Sequence, residues 1–168
     1  MRRLTSLLGL PVLDGGGRRL GRVRDVLLSA DGGRVVALVL EPGGWLRPGR
    51  AVDWPAVVAV GDGAVVVASA PRPLVPAEAG TGPAWQQVAG RPLYSAGGAD
   101  LGHLADAWVD PTSGTITGYQ VSAGLVDDLL SGQTVLPGPA SLVAGPEALI
   151  LGAGSDLTRP PWATGAGE

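Results

Sequence analysis

Few side chains in this sequence have the chemistry that catalysis requires. His103 is the only histidine and cysteine is absent, so a histidine-based triad or a metal cluster would depend on His103 alone. Its place in a predicted strand favours a polar surface residue instead. Ser122 lacks the glycine that a nucleophile elbow has two residues earlier, because Gln120 stands there. The sequence therefore predicts no catalytic residues and a protein that is not an enzyme.

Two further patterns favour structural roles over ligand binding. The glycine-rich run Gly15–Arg19 leads into a predicted strand, whereas phosphate-binding loops lead into a helix and end in Gly-Lys-Ser/Thr. Asp127 and Asp128 are neighbours in a predicted helix, where adjacent side chains point about 100° apart and cannot share one metal ion. We expect no bound metal and no organic cofactor.

Asp25 and Asp106 stand at equivalent places in an internal repeat, which raises the question of a shared active site. A short carboxylate within a strand can instead accept backbone N–H groups where the sheet ladder is interrupted. A duplication of the fold would preserve that structural role. We therefore favour structure over catalysis for both residues.

The repeat divides the chain into two copies. Gly9-Leu10-Pro11 returns as Gly90-Arg91-Pro92 at an offset of 81, and after two inserted residues Val65–Val67 is matched with residues 148–150. We predict a first domain at residues 1–70 and a second at 85–151. Between them, residues 71–84 are rich in proline and glycine and are predicted to be a linker without helix or sheet. Residues 152–168 are predicted to be a flexible tail.

The composition predicts an all-β fold. The 28 glycines and 15 prolines among 168 residues favour short strands separated by frequent turns. The apolar stretch Leu4–Leu13 is interpreted as the first strand of the fold. Further strands of the first copy are bounded by turn residues and by β-branched runs: Pro11–Leu13, Gly21–Ser29, Arg34–Glu41, Arg50–Pro55, Val57–Val60 and Ala64–Ser69. One short helix is predicted over Gly124–Gly132 in the second copy.

Several segments together resemble the PRC-barrel domain family: Leu20–Leu28, Asp31–Val39, Val52–Trp54, Val60–Val67, Leu101–Asp110 and Gly118–Ser122. The resemblance implies two tandem six-stranded β-barrels. In the family the barrel is a binding module without a common catalytic residue set, as in the cytoplasmic part of the photosynthetic reaction-centre H subunit and the C-terminal domain of ribosome maturation factors. This sequence lacks the membrane helix of the former and the different N-terminal domain of the latter. Neither specific function transfers.

Charge is distributed unevenly between the copies. Residues 1–70 contain nine arginines and six acids, whereas residues 85–151 contain one arginine and six acids. We predict a protein-binding adaptor in a larger cytoplasmic assembly, with these partner-binding candidates: Arg18, Arg19, Arg22, Arg24, Trp85 and Trp162. The alternative is a weak RNA or ribosome contact through the basic first copy, which would also use Arg47 and Arg50. The other tryptophans, Trp45, Trp54 and Trp108, are expected to pack in or over the barrels.

Two further expectations concern location and association. The absence of cysteine favours the cytoplasm, and the absence of an apolar run near twenty residues predicts no membrane span. Apolar runs near the end of each copy predict a face shared between the copies, with a homodimer as the alternative: Val57–Val58, Val65–Val67, Leu142–Val143 and Leu149–Ile150.

Overall fold

The computed structural model describes residues 1–42, 49–75, 81–123, 134–137 and 141–152. The first copy begins with a two-residue strand and contains two turns of 3-10 helix. Its elements are β1 (Arg2–Arg3), η1 (Leu4–Leu7), β2 (Pro11–Asp14), β3 (Arg19–Ser29), β4 (Val35–Leu40), β5 (Arg50–Asp53), η2 (Trp54–Ala56), β6 (Val57–Val60), β7 (Val65–Val67) and β8 (Arg72–Pro73).

The second copy repeats this order with a short α-helix in place of η1. Its elements are β9 (Thr81–Ala84), α1 (Trp85–Val88), β10 (Pro92–Ser95), β11 (Asp100–Val109), β12 (Ile116–Ser122), β13 (Thr134–Pro137), β14 (Leu142–Ala144) and β15 (Leu149–Leu151). The predicted all-β class is confirmed. The helix predicted over Gly124–Gly132 lies outside the described residues.

Two local predictions are wrong. The stretch Leu4–Leu13 is not one strand, because Leu4–Leu7 forms a 3-10 helix whose two leucines are buried. Residues three apart lie on one face of such a helix, so this short turn can bury both. The segment 71–84 is not free of sheet structure either, since β8 pairs with β5 and β9 pairs with β3.

Each copy contributes six equivalent strands to a sheet, in the same spatial order. The first copy runs β6-β7-β2-β3-β4-β5 and the second runs β14-β15-β10-β11-β12-β13. In both sheets one neighbouring pair is parallel, β2 with β7 and β10 with β15, and the other pairs along these orders are antiparallel. Closure of either sheet into a barrel stays a prediction.

The pairing register corrects the sequence alignment of the last strands. Val12 pairs with Val65, and Leu93, its counterpart at an offset of 81, pairs with Leu149. Equivalent residues in the last strands of the two copies are therefore 84 positions apart, whereas the sequence pattern predicted 83. In a strand, a slip of one residue exchanges the buried and exposed faces. The new register matches the buried residues Val65 and Val67 with the buried residues Leu149 and Leu151.

The two copies exchange their first elements. β1 pairs with β11 of the second copy, so that Arg3 lies opposite Trp108. β9 pairs with β3 of the first copy, so that Ala84 lies opposite Leu27. These pairs are related to each other by the offset of 81. We call Arg2–Leu7 and Thr81–Val88 the entry segments, and each packs on the copy to which it does not belong in sequence.

A second reciprocal contact joins the copies at their β3–β4 and β11–β12 hairpins. Val35 N–H donates to Gly114 O at 2.8 Å, and Ile116 N–H donates to Gly33 O at 2.9 Å. Arg34 and Thr115 form an antiparallel bridge between these hydrogen bonds. Equivalent residues of the two copies are 81 positions apart, and exchanging them converts each of these hydrogen bonds into the other and the bridge into itself. An approximate two-fold axis therefore passes between Arg34 and Thr115.

One continuous hydrophobic cluster includes residues from both copies, among them Leu4, Leu28, Trp85 and Leu104. The shared face that the apolar runs predicted lies elsewhere, however. Val58, Val143 and Ile150 are 67%, 58% and 38% exposed, so the outer sides of these strands are not covered by the other copy. Leu142 of these runs meets the other copy at Asp31 and Gly32. The rest of the contact includes the entry segments and the two hairpins. Among the described residues, no helix is long and apolar enough to cross a membrane.

Candidate functional site

Asp25 and Asp106 bind the exchanged entry segments. Asp106 Oδ1 accepts the Thr5 N–H at 3.1 Å and Oδ2 accepts the Thr5 hydroxyl at 2.5 Å. Asp25 Oδ1 accepts the Gln86 N–H at 3.2 Å. Thr5 and Gln86 are themselves 81 residues apart, so the two contacts are copies of one another.

Each aspartate also caps an interruption of its own strand. Asp25 accepts the Val26 N–H and Asp106 accepts the Ala107 N–H, both at 2.8 Å. The ladder shifts register immediately before each aspartate, which is the geometry of a β-bulge. Both carboxylates are more than nine-tenths buried, and their hydrogen bonds satisfy them there. The prediction of a structural role is confirmed.

The hairpin tips fasten the two copies near the axis. The Tyr119 hydroxyl donates to Gly32 O, and the Leu142 N–H donates to Asp31 O at 2.7 Å. Burial, with a smaller contribution from the Asp31 charge, raises the pKa of Tyr119 above its usual range. The hairpin of the second copy in turn contacts the first copy, because Gly114 lies against Trp54. A Cβ at position 114 would be 2.6 Å from Trp54 Nε1.

Asp31 and Asp110 stabilise the turns of these hairpins. The Ser29 hydroxyl and the Gly33 N–H donate to Asp31 Oδ1 at 2.6 and 2.9 Å, and these hydrogen bonds lower the pKa of Asp31. The Thr112 and Ser113 N–H groups likewise lower the pKa of Asp110. Both acids therefore stabilise the turns of their hairpins.

The residues that the sequence analysis considered and set aside as catalytic or ligand-binding groups lie on separate elements where the structure describes them. His103 is exposed on β11, as a polar surface residue would be. Within the described ranges, no group of three histidine or acidic side chains is close enough to hold a metal ion. The glycine run Gly15–Gly17 forms the β2–β3 turn, in which Asp14 Oδ1 accepts the Gly16 N–H. Asp127 and Asp128 lie outside the described residues.

Four of the predicted partner-binding residues are exposed along one hairpin and one strand. We call them the arginine face: Arg18, Arg19, Arg22 and Arg24. Arg18 and Arg19 lie at the β2–β3 turn, and Arg24 is the extra residue of the β3 bulge. In the described part of the chain, the ion pairs are Arg2 with Asp62 and Arg72 with Asp53. The charges of the arginine face are thus available for a partner.

Part of this face borders a cleft of about 360 Å³. The described residues that line it all belong to the first copy: Arg19, Leu20, Gly21, Arg22, Glu41, Pro42 and Arg50. The Arg50 guanidinium is held by a hydrogen bond from Nη2 to Leu20 O at 2.8 Å, and Arg22 Nη1 donates to Gly9 O at 2.8 Å. Arg50 Nε is buried and has no hydrogen-bond partner. The described lining of the cleft therefore includes three cationic side chains and one carboxylate.

The predicted docking role of Trp85 is wrong. Its side chain is 2% exposed, because α1 packs against β3 as part of the exchanged entry segment. The Gln86 side chain fixes this helix by donating to Arg24 O at 2.9 Å. Trp54 is buried and Trp108 is partly buried with Arg3 above its ring at 5.6 Å, as expected for packed tryptophans. Trp45 and Trp162 lie outside the described residues.

The sequence contained a signal for the exchange that pattern reasoning missed. The offset of 81 aligns Leu4–Leu7 with Trp85–Val88, both with large apolar residues three apart. It also aligns Thr5 with Gln86 in the position that reaches the buried aspartate. The cleft was missed for another reason, since Arg50 and Glu41 approach Arg22 only through the pairing of β3, β4 and β5.

Comparison with known families identifies the first copy. Residues 1–71 match the family model of the PRC-barrel domain, the family that the sequence segments resemble. The chain has no match among the curated proteins with which it was compared. The second copy is related to the first by the repeat and by the common order of its strands.

Proposed function

We propose that this protein is a non-catalytic adaptor that binds an acidic surface of a protein partner through the arginine face of its first copy. The observation that carries the proposal is the exposure of Arg18, Arg19, Arg22 and Arg24 along β3 and the turn before it. β3 pairs with β2 and β4 of its own copy and with β9 of the second copy. Arginine is enriched at protein interfaces because its planar guanidinium binds carboxylates in a bidentate manner. We place the assembly in the cytoplasm, as the lack of cysteine favours.

The rigidity of the face supports a binding role. β3 is covered by the entry segment Thr81–Val88 and is paired with β2 and β4 on its two sides. A side chain on a fixed strand loses less conformational freedom on association than one on a mobile loop. The second copy thus acts on the proposed site through the backbone of β3.

The test is affinity capture from a lysate of the native host with the full chain, followed by quantitative mass spectrometry. The test variant is R22Q/R24Q. The matched control is R2Q/R72Q, which removes the same charge from arginines already paired with Asp62 and Asp53. We expect a partner that wild type and control capture alike and that the test variant captures at least about tenfold less, equivalent to about 1.4 kcal/mol.

Equal capture by both variants would contradict the proposal. Loss of the captured material after nuclease treatment would favour the alternative, an RNA or ribosome contact through the same arginines. Binding of that kind is electrostatic and typically shows a dissociation constant of about 10⁻⁴–10⁻⁶ M at physiological salt. Filter binding of RNA at several salt concentrations separates this case from a protein partner.

A further inference from the structure

We propose that the cleft formed by Arg19, Arg22 and Arg50 binds a carboxylate of an acidic peptide segment. This inference rests on the proposed function, because it names the chemical group that the arginine face recognises and the place where it binds. Only the part of the face that borders the cleft is involved, since Arg18 and Arg24 are not among the residues that line it.

Two of the three guanidinium groups are already oriented by the protein backbone. Arg22 donates from Nη1 to Gly9 O, and Arg50 donates from Nη2 to Leu20 O, each at 2.8 Å. Each guanidinium has five N–H donors, so donors remain after these contacts. Because the side chains are held before a ligand arrives, less rotamer entropy is lost on binding.

Arg50 also carries an unfavourable feature that an anion would offset. Its Nε atom is buried without a hydrogen-bond partner. Burial of part of a charged group costs free energy when no hydrogen bond or opposite charge replaces the lost water. A carboxylate in the adjacent cleft would stabilise the guanidinium by charge. The partly buried Arg50 is thus the central cation of the proposed site, and Arg19 and Arg22 are its exposed neighbours.

Gly21 leaves space for the ligand beside Arg50. A Cβ at this position would lie 3.2 Å from Arg50 Nη2 and 3.5 Å from Leu40 Cδ1. Any side chain here would therefore crowd the guanidinium or cover it. Glycine keeps the backbone bare where the carboxylate must approach.

The apolar part of the described lining favours a carboxylate that is carried by a peptide. Glu41 lines the same cleft as the three arginines, so these four side chains keep a net positive charge that attracts an anion. Leu20 and Pro42 offer apolar contacts to a peptide. Among the described residues of the lining none is aromatic, whereas proteins that bind single-stranded nucleic acids stack the bases on aromatic rings.

The experiment measures fluorescence anisotropy of three labelled probes with the full chain: hexaglutamate, hexaglutamine and a hexathymidylate oligonucleotide. The cleft variant is R19Q/R22Q. Its matched control is R3Q/R34Q, which removes the same charge from two exposed arginines outside the arginine face. All four residues are exposed, so both variants should fold, and circular dichroism checks this.

We expect hexaglutamate to bind wild type, hexaglutamine not to bind, and the cleft variant to weaken hexaglutamate binding at least about tenfold. The control should stay within about threefold of wild type, as expected for screened charges outside the site. No binding of hexaglutamate to wild type, an equal loss in both variants, or tighter binding of the oligonucleotide would each overturn the proposal.

A further variant, R18Q/R24Q, is compared with R19Q/R22Q in the lysate capture to separate this inference from the proposed function. If R18Q/R24Q and R19Q/R22Q lower capture of the lysate partner equally, the arginine face binds the partner but the cleft is not the recognition point. If neither variant lowers capture, the proposed function itself is wrong.

Discussion

β3 and β11 are equivalent strands in the two copies, and they differ in charge where they meet solvent. Their buried positions are equivalent in kind, with Asp25 matched by Asp106 and Val23 matched by Leu104. Their outer positions are not equivalent. Arg19, Arg22 and Arg24 of β3 correspond to residues of different charge in β11: Asp100, His103 and Ala105.

This difference separates architecture from function. The positions that hold the copies together are kept in both, because each aspartate must bind the entry segment of the other copy. The positions that a partner can reach are basic in one copy and neutral or acidic in the other. We infer that the second copy serves mainly as a structural partner for the first.

The largest expected effect is the loss of a buried side chain from an entry segment. Trp85→Ala should lower the free energy of unfolding by about 3–5 kcal/mol and Leu4→Ala by about 2–5 kcal/mol, as for other large-to-small core substitutions. Because the segments are exchanged, Trp85→Ala should increase hydrogen exchange in β3 and Leu4→Ala in β11. Increases confined to the copy that carries the substitution would contradict the exchange.

The two buried aspartates should differ in their contribution to stability. Asp106 binds both the N–H and the hydroxyl of Thr5, whereas Asp25 binds only the N–H of Gln86 from the other copy. Asp106→Ala should cost about 3 kcal/mol and Asp25→Ala about 2 kcal/mol, since hydrogen bonds to charged groups contribute roughly 1.5–3 kcal/mol. Urea unfolding measures both values.

Thr5→Ala serves as the control for this difference. It removes the hydroxyl and leaves the backbone N–H in place, so in its background the two aspartate substitutions should cost nearly the same. A difference that persists in the Thr5→Ala background would show that the extra hydrogen bond is not its cause.

Tyr119 tests the hairpin contact and gives a pH dependence. Tyr119→Phe removes the hydrogen bond to Gly32 O and should cost about 1 kcal/mol. The folded protein holds the Tyr119 proton more tightly than the unfolded chain, whose tyrosine has a pKa of 10.0. The stabilisation by Tyr119 is therefore present below pH 10.0 and is lost as the pH rises above it toward the higher folded pKa.

The measurement is the unfolding free energy of wild type and Tyr119→Phe between neutral pH and pH 11. The difference between them should shrink as the pH rises. Tyr94→Phe is the matched control, because the only other tyrosine lies on β10 away from Gly32. A difference that stays constant with pH would argue against a proton held at the hairpin contact.

The smallest expected effect concerns the charge of the cleft. Glu41→Gln should tighten hexaglutamate binding about two- to fivefold, because exposed charge pairs contribute roughly 0.2–1 kcal/mol. Glu147→Gln in the second copy is the control and should leave the affinity unchanged. Weaker binding by Glu41→Gln would place Glu41 among the groups that hold the peptide.

Local patterns predicted the strands well, and they failed where the fold depends on contacts distant in sequence. The six predicted strands of the first copy all appear, because alternating β-branched runs and glycine turns are local signals. The exposure of the four arginines agrees with the sequence, since charged side chains favour solvent, whereas their binding role stays a prediction. The burial of Trp85 was not predicted, because it depends on β3 of the other copy.

The linker shows the same limit. The prolines and glycines of 71–84 argued against sheet structure, yet Arg72–Pro73 and Thr81–Ala84 pair with the edges of β5 and β3. Pro73 is compatible with this because proline is tolerated in short strands at the edge of a sheet. Pairing with strands distant in sequence thus outweighed the low intrinsic preference of proline and glycine for sheet structure.

The most direct test of the exchange is to divide the chain within the segment 76–80 and to compare the fragments 1–75 and 76–168 with the intact protein. Thermal unfolding and light scattering are measured at matched concentration. The account predicts that neither fragment alone unfolds with the cooperativity and midpoint of the intact chain, because each lacks the entry segment that covers its longest strand. An equimolar mixture should recover both. Two monomeric fragments that each fold fully and unfold at the temperature of the intact chain would contradict the account.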